Sequence, residues 1–173
     1  IIYHLSGVSI SALNGILMEI AEIFSIERIS LCDDLRSKKT VLERLGSLLE
    51  VKNAGPSASQ IGDLLASRER LGTTGLGGGI ALPHARIGKK EPARAAFLKI
   101  SNPIDFDAVD EKPVDLFLAL CLPEDSINEY LDLLGKIADA LEDISFVENL
   151  RIIDDKEAIL RSLSREIDSK QGV

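Results

Sequence analysis

The residues best suited to chemistry lie between Arg68 and Arg86, in the run Arg-Glu-Arg-Leu-Gly-Thr-Thr-Gly-Leu-Gly-Gly-Gly-Ile-Ala-Leu-Pro-His-Ala-Arg. It holds one of the chain's two histidines, five of its thirteen glycines and three arginines. Imidazole is a usable nucleophile near neutral pH. Glycines let backbone N–H groups approach an oxyanion closely. The planar guanidinium of arginine can grip phosphoryl oxygens at two points. His84, Arg68 and the Gly77-Gly78-Gly79 run together point to chemistry on a phosphoryl group.

Each part also has a plainer reading. Gly75-x-Gly77-Gly78-Gly79 lacks the Gly-Lys-Ser/Thr of a nucleotide loop, and a glycine run ahead of a strand is also a tight turn. A histidine after proline is also a packing residue, and no acid nearby in sequence orients His84. His4, near the N-terminus, is the other histidine, which gives no metal-ligand set. Asp107 and Asp110 read as an acid/base pair or as a solvated loop. No Ser or Cys sits in a nucleophile-elbow pattern.

The elements that must position these groups are readable from periodicity and caps. The spacing of Ile20, Ile23 and Phe24 predicts a short helix over 19–27, followed by a β-like run at 28–32. Ser37 caps a helix to about Val51, with Val41, Leu42, Leu45, Leu48 and Leu49 as its apolar stripe. Ser57 caps a second helix ending near Arg70-Leu71-Gly72. Residues 80–82 form a short strand leading to Pro83-His84, and 93–100 form another. Residues 103–113 form an acidic loop. Residues 114–122 are nearly all apolar and read as a central strand covered on both faces. Helices follow from Asp125 or Ser126 to about Leu141, from Ser145 through Leu150, and from Asp154 to about Ile167. Strands and helices mix throughout, which implies a single α/β layered domain.

Composition narrows the function classes. The chain has 173 residues and a net charge of −8, with 45% apolar and 28% charged residues, which is ordinary for a globular domain. Residues 1–100 carry 13 Lys+Arg against 10 Asp+Glu, and residues 101–173 carry 7 against 18. That acidic second half argues against nucleic-acid binding over its surface. Arg86, Lys89, Lys90, Arg94 and Lys99 form a local basic run, read either as a solvated surface or as a docking patch for phosphate. No apolar run reaches membrane-helix length and no secretory pattern is present. Cys32 and Cys121 have no metal spacing and read as two buried small side chains in a reducing cytoplasm. Met18 is the only methionine, so residues 1–17 read as a non-native or disordered extension, or as a native one.

From Met18 to the last helix, the chain resembles the enzyme IIA domains of the mannitol/fructose class of the phosphotransferase system. It is most similar to their stand-alone nitrogen-regulatory branch. Arg68-Glu69-Arg70 at its distance from Ile80-Ala81-Leu82-Pro83-His84 carries the resemblance, together with the block 103–120 and the loop and helix over 123–134. The resemblance implies one domain over 18–173, with a mixed β-sheet flanked by helices on both faces. It implies that His84 is the phosphorylated histidine and Arg68 the active-site arginine. Backbone N–H groups of Gly77, Gly78 and Gly79 would add charge stabilisation. The family's second histidine falls on Tyr130, whose hydroxyl can still donate to a phosphoryl oxygen, and its usual glycine after the active histidine is Ala85. The implied donor is an HPr-like phosphocarrier, preferably of the nitrogen branch, with no metal or cofactor at the transfer step. Regulatory target proteins or a IIB protein are the implied acceptors. Three functions stay open: a phosphohistidine carrier acting as a regulatory switch, a fructose- or mannitol-specific enzyme IIA, and a binding module that has lost transfer.

Overall fold

The computed structural model describes residues 23–170; the extension considered over 1–17 lies outside them. The described chain forms one mixed sheet with helices on both faces, as expected. β1 (Phe24–Asp33) occupies residues 24–27 of the helix expected over 19–27. Residues 19–22 lie outside the described region. β1 pairs in parallel with β5 (Arg94–Ile104), aligning Phe24 with Ala95 and Ile29 with Phe97. Long-range pairing overrides the local helical spacing.

The two serine caps form. Ser37 accepts the Thr40 N–H and the Thr40 hydroxyl accepts the Ser37 N–H, opening α1 (Lys38–Leu49). Ser57 and Gln60 make the same reciprocal pair at the start of α2 (Ala58–Arg70). Such caps satisfy backbone donors that the first helical turn leaves open.

β2 (Gly75–Gly77) and β3 (Ile80–Ala81) make a tight antiparallel pair. The chain reverses between them on Gly77, Gly78 and Gly79, whose φ values of 93°, 65° and 80° strain any side chain. β6 (Val114–Pro123) is the central strand. Antiparallel to β5 on one side, it runs parallel to both β3 and β4 (His84–Ile87) on the other. β3 pairs with Leu116 and Phe117, and β4 resumes at Leu120. Both keep one register against β6, so Leu82-Pro83 links them without an inserted residue, and the Pro83 carbonyl accepts the Leu120 N–H at 2.9 Å. β4 was not expected, because four residues are too few to show a period.

The central strand is covered on both faces, as its composition implied. Leu116, Leu118, Leu120 and Leu122 face one core, shared with Ile137, Phe146, Leu150 and Leu163. Phe117, Ala119 and Cys121 face the other, shared with Val41, Leu45, Leu49, Ile61 and Leu65 of α1 and α2. After a 3-10 turn (Glu124–Ser126) come α3 (Ile127–Leu141), α4 (Ile144–Ile152) and α5 (Lys156–Ser169). The caps of α4 and α5 are Asp143 and Asp155 rather than Ser145 and Asp154. Their carboxylates accept the N–H of Phe146 and of Ala158. Among the described residues no helix is long and apolar enough to cross a membrane.

Candidate active site

Two elements bring Arg68 and His84 together. Arg68 stands in the last turn of α2, whose Ile61 and Leu65 are anchored in the core beside β4. His84 opens β4, where Ala85 and Ile87 point into that same core. The Arg68 Nε–H donates to His84 Nε2 at 3.2 Å, and Arg68 Nη1 donates to the Gly72 carbonyl at 2.8 Å. On the opposite edge of the ring, His84 Nδ1 lies 2.9 Å from the Leu82 carbonyl oxygen. A carbonyl only accepts, so Nδ1 carries the proton. Nε2 then holds the lone pair that meets Arg68. The orienting group is thus a backbone oxygen, supplied by Leu82 in the link between β3 and β4.

Electrostatics favours the neutral ring. Burial pushes the His84 pKa below its ordinary 6.5, and the Arg68 and Arg86 charges push it the same way. The hydrogen bond to Leu82 and the charge of Glu69 oppose that fall. The ring stays neutral and nucleophilic near pH 7. Since the folded pKa lies below the unfolded one, the folded protein binds fewer protons between the two values. Folding stability therefore rises with pH there and is lost as pH falls from 6.5 through the lower folded value. We expect an NMR titration of the His84 ring to give a midpoint below 6.5; a midpoint at or above that value would contradict this geometry.

A cavity of about 560 Å³ opens over this pair. Arg68, His84, Arg86, Glu124 and Tyr130 line it, with Leu64, Leu71, Leu131 and Leu134 as its apolar part. Tyr130, on the first turns of α3, is partly buried against the core. Leu71 is 85% exposed and Leu131 56%, so the mouth has an apolar rim.

The structure does not bring the other sequence candidates here. Gly77 and Gly78 line a separate cavity with Leu76, Ile144 and Arg151. The Gly78 N–H donates to Asp110 at 2.9 Å, while the Gly78 carbonyl accepts from Arg151 Nη2 at 2.7 Å. The Gly79 carbonyl accepts from Asp115 and Leu116. These bonds fasten the turn to its surroundings, so no anion cradle of Gly77–Gly79 is assembled around His84. Asp107 pairs with Lys38, and two backbone N–H groups hold the Asp110 carboxyl below its usual range. Neither acid lines the His84 cavity.

The basic run also divides. Arg86 reaches the cavity, and Lys89 and Lys90 are exposed. Arg94 is 1% exposed and donates to the Leu49 carbonyl; Lys99 is 7% exposed and donates to the Leu150, Arg151 and Ile153 carbonyls. Both cations serve helix C-termini, whose last carbonyls lack intrahelical partners. Cys121 is buried and its thiol is pushed up to about 11 by burial. Cys32, expected to be buried, is exposed at a bulge of β1 with φ 63°.

Residues 22–166 match the model of the phosphoenolpyruvate-dependent sugar phosphotransferase system EIIA 2 domain. The chain belongs to this EIIA 2 family. The nitrogen regulatory protein of Pseudomonas aeruginosa is 40% identical over 123 residues, covering 71% of this chain and 80% of that protein. The Haemophilus influenzae nitrogen regulatory protein homolog is 37% identical over 137 residues, covering 78% and 84%. The crystal structure of the nitrogen regulatory protein IIA-Ntr of Neisseria meningitidis superposes with a TM-score of 0.79 at 37% identity, covering 83% of this chain and 98% of that one.

Proposed function

We propose that the chain is a phosphohistidine carrier whose phosphorylation state sets its association with partner proteins. The observation that supports this most is the Arg68–His84 contact, with Nε2 turned toward Arg68 and Nδ1–H held by Leu82. In the transfer, the Nε2 lone pair attacks the phosphorus of a phosphohistidine on an HPr-like carrier. The carrier's P–N bond breaks, and its electron pair returns to the carrier's imidazole. His84 becomes a phosphoimidazolium, with its positive charge shared at Nδ1–H against the Leu82 carbonyl. Arg68 gives up its bond to Nε2 and turns its fork onto the phosphoryl oxygens. Phosphoryl transfer passes through a loose transition state, so positioning and charge stabilisation supply most of the catalysis.

The nitrogen-regulatory relatives at 33–40% identity support the regulatory reading over a sugar-specific one. A fructose-specific EIIA component of Haloferax volcanii is 28% identical over 150 residues. A phosphoryl group adds about −1.5 to −2 charge at the mouth of the cavity, which is enough to reverse a binding preference there. Incubating the chain with phosphoenolpyruvate, enzyme I and each type of carrier tests the reading. Preference for the nitrogen-branch carrier supports it, and equal or better transfer from the sugar-branch carrier favours the sugar-specific alternative.

Two residues at the mouth give separate predictions. The exposed Leu71 rim is suited to an apolar carrier surface. Leu71→Asp is expected to raise the KM for the phosphorylated carrier about tenfold or more, with the saturated rate preserved; an unchanged KM in steady-state transfer would remove Leu71 from the docking surface. The Tyr130 hydroxyl is assigned as a donor to the phosphoryl group. Tyr130→Phe is then expected to slow transfer about two- to tenfold, the range of one neutral hydrogen bond of ~0.5–1.5 kcal/mol, read in single-turnover kinetics. A rate equal to wild type would leave Tyr130 as a packing residue.

A further inference from the structure

Arg68 is followed by an acid that the transfer itself does not use. Glu69 is 6% exposed, and a carboxylate buried to that degree is costly unless its lone pairs are filled. They are filled. Glu69 accepts the Thr74 N–H at 3.0 and 3.2 Å and the Thr74 hydroxyl at 2.5 Å. Lys38 Nζ stands 3.1 Å from Glu69 Oε1. Lys38 is held in turn by the Phe106 carbonyl at 3.2 Å, by Asp107 at 2.9 Å, and 4.6 Å above the Phe106 ring.

Two paths lead from Glu69 to the reacting pair, and both begin at Thr74. The Glu69–Thr74 bonds close the loop 71–73 that leaves α2. Inside that loop lies the Gly72 carbonyl on which Arg68 Nη1 rests at 2.8 Å. Thr74 also accepts the Leu82 N–H at 2.9 Å through its own carbonyl. Leu82 is the residue whose carbonyl fixes the Nδ1 proton of His84. One buried carboxylate thus sits upstream of the group that aims Arg68 and of the group that aims His84. It does not line the cavity over them.

We propose that Glu69, held by Lys38, is the positioning residue of the phosphoryl site, setting through Thr74 both the Gly72 carbonyl that orients Arg68 and the Leu82 carbonyl that orients His84. This rests on the phosphocarrier reading above. A staple that only stabilises the end of α2 would make the same bonds, so the test needs measurements that a purely structural role leaves unmoved.

Glu69→Gln keeps the volume and an acceptor for the Thr74 N–H but loses the charge facing Lys38. Thr74→Val removes only the hydroxyl, and Lys38→Met removes the cation; both are milder variants in case Glu69→Gln folds poorly. Each is compared with wild type below its melting transition, in single-turnover transfer from the phosphorylated carrier and by NMR of the Arg68 Nε–H and His84 ring signals. The expected result is a saturated rate lower by about 10- to 100-fold, the scale of a slackened positioning contact, with the KM for the carrier preserved. In Glu69→Gln the His84 midpoint also moves further down, since Arg68 and Arg86 then act on the ring without an opposing carboxylate. Folded variants that transfer at the wild-type saturated rate, with unmoved Arg68 and His84 signals, would overturn the proposal. If the wild type accepts no phosphoryl group, the phosphocarrier reading fails. The NMR arm still decides then whether Glu69 orders the pair: shifted Arg68 and His84 signals support the positioning role and unshifted ones overturn it.

Discussion

Replacing His84 with alanine is expected to abolish phosphoryl uptake. Intact-mass spectrometry after incubation with phosphoenolpyruvate, enzyme I and the preferred carrier should show one added phosphoryl group on wild type and none on His84→Ala. The reason lies in one atom. Nε2 is the unprotonated ring nitrogen, His84 lines the cavity, and Nε2 stands 3.2 Å from Arg68 Nε. Among the described residues His84 is the one histidine. The substitution removes two hydrogen bonds from a half-buried position. At about 0.5–1.5 kcal/mol each, that loss is tolerable for a domain of this size. Retained folding with lost uptake is therefore the expected outcome. An alanine variant that still gains the group would move the site elsewhere.

Arg68→Ala should produce the second-largest effect. Its guanidinium is the cation in hydrogen-bond reach of Nε2, and removing one preorganised donor from a developing charge costs about 10²- to 10³-fold in rate. The loss should fall on the saturated rate and leave carrier docking intact, because the Leu71 rim is separate from Arg68's polar contacts. Arg68→Lys should recover only part of it. A lysine ammonium is a point charge and cannot keep the Gly72 carbonyl while meeting Nε2. Single-turnover kinetics distinguishes the cases, and an Arg68→Ala rate within threefold of wild type would remove Arg68 from transition-state stabilisation.

Much of this architecture was legible in the sequence where local chemistry decides the outcome. Ser37 and Ser57 announce helices because a cap needs only a residue and its neighbours three positions on. Residues 114–122 announce a doubly covered strand because both faces must be apolar. The sequence was less informative where distant partners decide. Ile20, Ile23 and Phe24 have helical spacing, yet from Phe24 onward the chain is drawn into parallel pairing with Ala95 and Phe97. Arg94 and Lys99 look like surface charge in sequence, but helix carbonyls elsewhere in the fold bury them. The glycine run had two readings, and the structure makes it a turn fastened by Asp110 and Arg151.

The site shows the same division. His84 and Arg68 stand out by residue type, and the structure brings them into contact. The group that sets the His84 tautomer could not stand out, because every residue carries a carbonyl and only the folded link between β3 and β4 aims this one. Glu69 is adjacent to Arg68 in sequence, but its reach to Thr74 and Lys38 depends on how α1 and α2 pack. A buried acid beside the site arginine, with a threonine five residues on, is the signal that could have drawn attention to it.

The central claim is that Nε2 of His84 accepts the phosphoryl group while Nδ1 keeps its proton. The direct measurement is a nitrogen–proton correlation spectrum of the imidazole in ¹⁵N-labelled protein, before and after phosphorylation by the carrier. The account predicts a protonated Nδ1 and an unprotonated Nε2 in the free state, and a phosphorus coupling that appears on Nε2 alone. Coupling on Nδ1, or a phosphoryl group on any residue other than His84, would contradict it.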